Sequence, residues 1–141
     1  ISLITFKDGK LYKHNDNDVY NNFYGEQFTR KIKFLSNIEP DSIKFYTNIF
    51  TESTHAFSMP SATNQFGQKT SLIVDDFIDF EGVFKSEFLM NENTPNVENP
   101  LIEGENIRCH SLTIELEDSE VGFSKLFGVG IGVHLSQLTA R

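Results

Sequence analysis

The chain has 141 residues, 38% of them hydrophobic, and a formal charge of −8. That is enough apolar matter for a buried core and excludes a disordered tract, while the acidic balance argues against a general nucleic-acid binder, which needs a basic footprint. A single cysteine, Cys109, excludes an internal disulfide, and no apolar run is long enough to read as a membrane helix.

Residues 3–14 read as a β-hairpin. LITF and KLYK flank Asp8-Gly9, and Asp-Gly is the favoured pair where both central residues of a turn need φ > 0. Residues 14–25 carry four Asn, two Asp and a closing Gly without a steady period, and read as a loop. Its aromatics, Tyr20, Phe23 and Tyr24, together with Tyr12, are expected to pin it over the end of the fold and are candidate interaction residues.

From Phe28 to Ser36 the chain alternates, with Phe28, Ile32 and Phe34 on one face and Lys31 and Lys33 on the other. Arg30, Lys31 and Lys33 are its one basic cluster and read as a solvated strand face. A turn around Pro40-Asp41 leads to a second strand over 43–50. Ile43, Phe45 and Ile49 share one face of it, and Lys44, Tyr46 and Asn48 the other. The pair reads most simply as an antiparallel hairpin with a longer loop.

Residues 51–68 are polar and poorly patterned, and read as an excursion loop. Residues 71–74 and 77–90 are apolar again, broken by Asp75-Asp76 and Gly82. Phe80, Phe84 and Phe88 also suit a helix face, but the Phe and Val content favours strand. Residues 91–106, with Pro95, Pro100 and Gly104, form a long loop. From 107 to 117, Leu112, Ile114 and Leu116 alternate inward against Thr113, Glu115 and Glu117, and Cys109 reads as a small buried position.

The last strand, 125–136, places Phe127, Val129, Ile131, Val133 and Leu135 on one face and Gly128, Gly130, Gly132 and His134 on the other. Three alternate glycines leave a bare face on which an aromatic from a neighbouring strand, or a partner subunit, can lie. The three are therefore also interaction candidates. GVGIG lies inside a strand and does not fit a dinucleotide fingerprint. The whole reads as an all-β fold of about eight strands, a two-sheet β-sandwich with jelly-roll-like or Ig-like topology, forming a single domain over 1–141. Fourteen Phe and no Trp must be shared between its core and its contacts.

No catalytic, cofactor or metal site is evident. His14, His55, His110 and His134 are widely spaced. Asp16-Asn17-Asp18 resembles the start of a calcium loop but lacks the glycine and glutamate that complete one. Asp75, Asp76, Asp79 and Glu81 form an acidic cluster whose plainest reading is a solvated turn.

The segment GKLYKHNDNDVYNNFYG, followed by KIKFLSN, a Pro turn and SIKFYTNI, resembles a recurring block in virion structural proteins of crAss-like phages of Bacteroidales, the tail muzzle and stabilization proteins among them. The closing VGIGVHLS also fits. The resemblance implies a non-enzymatic module of a tail or tail-vertex assembly, built in the host cytoplasm and packed against other copies of itself and other tail proteins. It implies no cofactor, nucleic acid or membrane. A chain that starts at Ile1 is expected to be a piece of a longer polypeptide. The alternative from a different class is a carbohydrate-binding β-sandwich, with Tyr12, Tyr20, Tyr24 and Phe66 as stacking residues.

Overall fold

A computed structural model describes residues 3–14 and 22–135. Strands β1 (Ile4–Lys7) and β2 (Lys10–Lys13) form the expected hairpin, with Asp8 and Gly9 at φ +52° and +77°. Residues 15–21, with Tyr20 and the Asp16-Asn17-Asp18 run, lie outside the described residues. The end of the expected 14–25 loop is a second small hairpin, β3 (Asn22–Phe23) and β4 (Glu26–Gln27), turning on Tyr24 and Gly25 at φ +53° and +80°. Glycine takes this left-handed backbone at little cost, and Tyr24 is held in it by contacts described below.

The body follows. Strands β5 (Arg30–Ser36), β6 (Lys44–Ser53), β7 (Ser58–Thr63) and β8 (Lys69–Leu72) lead through a 3-10 turn to β9 (Ile78–Phe80) and β10 (Val83–Glu87). A one-turn helix α1 (Pro100–Glu103) interrupts the long loop before β11 (Arg108–Cys109), β12 (Leu112–Asp118) and β13 (Leu126–Leu135). Four strands form one antiparallel sheet in the order β5-β12-β7-β8. The other sheet has five strands centred on β6. There β13 runs along one side, β10 and β11 share the other, and β9 lies outside β10.

One core fills the space between the sheets, as a sandwich requires. Leu112, Ile114 and Leu116 of β12, Met59 and Ala62 of β7, and Leu72 of β8 meet Tyr46 and Ile49 of β6 and Cys109 of β11. The alternation of β12 is as expected, and its three inward residues are fully buried because the strand lies between β5 and β7. Burial also pushes the Cys109 thiol up from its ordinary pKa, against the lowering effects of Asn64 and Lys44, so the side chain acts as a protonated small core residue.

The expected hairpin of the strands at 28–36 and 43–50 does not form. β5 and β6 lie in different sheets, and β5 pairs instead with β12. Charge explains the choice of partner. The register sets Arg30 opposite Asp118, Lys31 opposite Glu117 and Lys33 opposite Glu115. Arg30 Nη1 lies 3.2 Å from Asp118 Oδ2, and its Nη2 donates to the Gly122 carbonyl at 2.7 Å. The basic cluster is thus one side of a cross-strand ladder of opposite charges.

The faces of β6 also differ from the expected ones. Lys44 and Tyr46 point into the interior, and the inward series then continues as Ile49, Thr51 and Ser53. The parity changes at Thr47, where β6 carries an extra residue: Gly132 stands opposite Asn48, but Val133 stands opposite Tyr46. A similar irregularity hid β7 within the expected 51–68 loop. Met59 and Ala62 are both fully buried although three positions apart, because the register shifts between them and exposed Pro60 occupies the irregular stretch. Over 77–90 the strand reading holds, with Glu81 and Gly82 making a third turn with both φ positive.

Lys44 is fully buried, and its ammonium nitrogen has three backbone acceptors: Glu39 at 3.0 Å, Ser42 at 3.0 Å and His110 at 2.6 Å. All three of its donors are therefore used. Replacing Lys44 with Met would leave these carbonyls without their partner. Lys44→Met is expected to lower the unfolding free energy by about 3 kcal/mol, read from the urea midpoint at unchanged m-value. An opposite change is expected at Thr70, whose Oγ1 is buried and has no hydrogen-bond partner among the described residues. Thr70→Val keeps the shape, removes the orphaned hydroxyl and should stabilise the fold by about 1 kcal/mol in the same assay.

Candidate functional site

The β1–β2 register divides the hairpin into two faces. Thr5, Lys7, Lys10 and Tyr12 share one, and Ile4, Phe6, Leu11 and Lys13 share the other. The first face is covered by Tyr24. Its ring meets Tyr12 edge-on at 5.0 Å between centroids and His14 edge-on at 5.6 Å, with Lys7 Nζ 5.1 Å from its centre. Thr5 donates to the Tyr24 hydroxyl at 3.0 Å and lies 2.6 Å from His14 Nε2. Tyr24 thus clasps the N-terminal hairpin to the β3–β4 turn. Phe23, half-exposed, packs at 6.2 Å on Phe28. Of the aromatic interaction candidates, Tyr12 and Tyr24 are brought together, Phe23 stands beside a different ring, and Tyr20 lies outside the described residues.

The glycine strand belongs to the five-stranded sheet. A Cβ at Gly130 would overlap the Phe50 ring, and one at Gly132 would overlap the Asn48 amide. Both neighbours stand directly opposite on β6. An aromatic from the adjacent strand therefore fills part of the bare face, and the space beside Gly128 stays open. A bulge at Phe127 turns that ring outward and brings Leu126, in its place, against the core with Val129, Ile131 and Val133. Among the described strands β13 pairs with β6 alone. Its outer edge presents ten residues without Lys, Arg, Asp, Glu or Pro, the groups that commonly protect an edge strand from further pairing.

Several of the remaining candidates make local contacts. His110 Nδ1 lies 3.0 Å from the Pro40 carbonyl, and His55 lies 3.8 Å from Glu120. Asp76 accepts the Ile73 amide and Asp79 the Gly82 amide, so both carboxylates brace turns. Among the described residues no group of three His, Cys, Asp or Glu is placed to hold a metal ion. Phe66, separate from the tyrosines, lines an open cleft of about 700 Å³ with Phe45, Asn93, Glu105 and Arg108.

Two surfaces escaped sequence reasoning. Phe6 is 75% exposed, and Ile4 and Leu11 beside it are more than half exposed. On β9, Ile78 and Phe80 are exposed beside a groove of about 410 Å³. The available signal was the hairpin itself. A two-stranded ribbon has two faces and one can be covered, so apolar residues on both must leave some in solvent.

Residues 18–96 match the Crassvirus muzzle protein C-terminal domain. The chain belongs to this family. No curated protein matches it at a significant level. The family places the chain among the structural components of a bacteriophage virion. The muzzle segment runs through β3–β10, so both strands that complete the sheets, β12 beside β5 and β13 beside β6, lie outside it.

The clasp can be tested without touching the core. In Tyr24→Ala, hydrogen exchange at the β1 and β2 amides is expected to accelerate at least about tenfold, because the hairpin loses the ring that packs on Tyr12 and His14 and the hydroxyl that meets Thr5. The global unfolding midpoint should shift by less than about 0.5 kcal/mol. Unchanged hairpin exchange would show that Tyr24 is not the clasp.

Proposed function

We propose that this chain is a non-enzymatic packing module of the phage tail or tail-vertex assembly, working through contacts with copies of itself and with other tail proteins. The observation that carries the reading is the contrast between a closed core and an apolar exterior. Ile49, Met59, Leu112, Ile114 and Leu116 are dry, while Phe6, Ile78, Phe80 and Phe127 are each more than 60% exposed. Large apolar side chains left on the hairpins and edges of a well-packed domain are characteristic of contact surfaces. The open β13 edge supports the same reading, since an exposed strand edge accepts a strand from a neighbour. Nucleic acid is disfavoured as a partner: the basic strand β5 is matched residue by residue with acidic groups of β12.

In this reading the module is made in the bacterial cytoplasm and carried in the virion, with no cofactor and no membrane. Particles purified from infected cells are expected to contain the chain in stoichiometric amount, and antibodies against it should decorate the tail end in electron micrographs. Its absence from purified particles would count decisively against the reading. The cleft beside Phe66 favours a second reading, a carbohydrate-binding module, since it joins an exposed aromatic to amide and acidic groups. Binding on a glycan array that disappears in Phe66→Ala would favour that reading.

A further inference from the structure

We infer that the N-terminal hairpin of one copy docks by its Ile4, Phe6 and Leu11 face into the β9–β10 groove of a second copy. The inference rests on the packing role proposed above and names its two surfaces. Each is incomplete in the single chain. Tyr24 covers one face of the hairpin, and on the other Ile4, Phe6 and Leu11 are exposed, with Phe6 the most exposed large apolar side chain described. The groove has an apolar floor of Ile78, Phe80 and Leu89, and its volume of about 410 Å³ accommodates an inserted aromatic side chain. It lies on β9, the strand that ends its sheet, so the backbone there has an open edge beside the apolar floor.

Charge identifies the occupant. The chain as a whole is at −8, but the hairpin between Leu3 and His14 carries three lysines and one aspartate. Lys13 shares the docking face with Ile4, Phe6 and Leu11, and Lys7 and Lys10 charge the ribbon from its other face. The groove has the opposite character: Asp76 and Glu87 line it against a single Lys85, and Asp75, Asp79 and Glu81 neighbour it along the chain, beside or within β9. A basic apolar ribbon and an acidic apolar edge are complementary in both respects, and a second copy of the same chain supplies both. Because hairpin and groove are different surfaces, the contact is head-to-tail. Each copy keeps one of each for the next neighbour, so the contact propagates into a closed ring or an open filament.

The test introduces charges at exposed positions, where folding is not at stake. The hairpin variant is Phe6→Glu with Leu11→Glu, both on the docking face, and the groove variant is Phe80→Lys with Glu87→Lys. Self-association is measured by sedimentation equilibrium. The wild-type chain is expected to associate with rising concentration, and each variant alone should associate at least roughly tenfold more weakly. An equal mixture should recover association, because an acidic hairpin then meets a basic groove while the unchanged surfaces pair as before. Recovery in the mixture is the decisive supporting result. Variants that associate like wild type, or a mixture as weak as either variant, overturn the docking and show that copies or other occupants meet elsewhere. A wild-type chain that stays monomeric up to about 1 mM overturns it as well. Neither failure touches the broader packing role, which is judged by presence in the virion.

Discussion

The sandwich depends on a lysine placed where two crossings meet. The chain leaves the four-stranded sheet after Ser36 and enters the five-stranded one at Lys44. It returns from Cys109 to Leu112 beside that first crossing. Lys44 donates to Glu39 and Ser42 in the first crossing and to His110 in the second. His110 approaches the Pro40 carbonyl, and the Tyr46 hydroxyl donates to the Ser36 carbonyl at 3.3 Å. Crossing segments carry backbone groups that no ladder satisfies, and burying them is costly unless partners are supplied. A long side chain with three donors supplies three from a single point, and so fixes how the sheets join at this end.

This arrangement also explains which parts of the fold could be read from the residues. Strand β12 was legible because it is regular throughout, with every second residue dry. The first hairpin was legible because Asp8-Gly9 encodes its own turn geometry. Strand β6 was misread because one extra residue at Thr47 reverses its parity, so no fixed period of two describes it. Lys44 was read on the face opposite Ile43, Phe45 and Ile49, and nothing in that pattern marked it as buried. Its burial depends on three carbonyls, one of them 66 residues away, and local pattern carries no trace of that. The β5–β12 pairing is similarly remote, although the matched order of basic and acidic residues in the two strands records it.

The surface candidates divide along the same line. Tyr12 and Tyr24 were noted for their aromatic character, and the structure joins them in the clasp. The glycine strand was read as a bare face, and the neighbouring Phe50 and Asn48 fill the space beside two of its three glycines. What sequence could not reveal is the outer face of each ribbon. Ile4, Phe6, Ile78 and Phe80 look like ordinary core residues of strands, and only the structure shows them exposed, with no described strand lying over them.

The division between core and exposed apolar surface follows from turn chemistry. The core is assembled from remote pairings, β5 with β12 and β6 with β13, which must wait for the last strands and carry the entropic cost of closing long loops. The exposed apolar residues of the hairpin and groove, by contrast, sit on ribbons closed by two-residue turns at Asp8-Gly9 and Glu81-Gly82, and the Tyr24-Gly25 turn is built in the same way. Each of these turns is determined locally by its own residues and twists its strands in the sense that a paired ribbon requires. The shape of such a ribbon is therefore nearly independent of how tightly the core is packed. Substitutions in the core change stability while the geometry of the exposed ribbons stays the same.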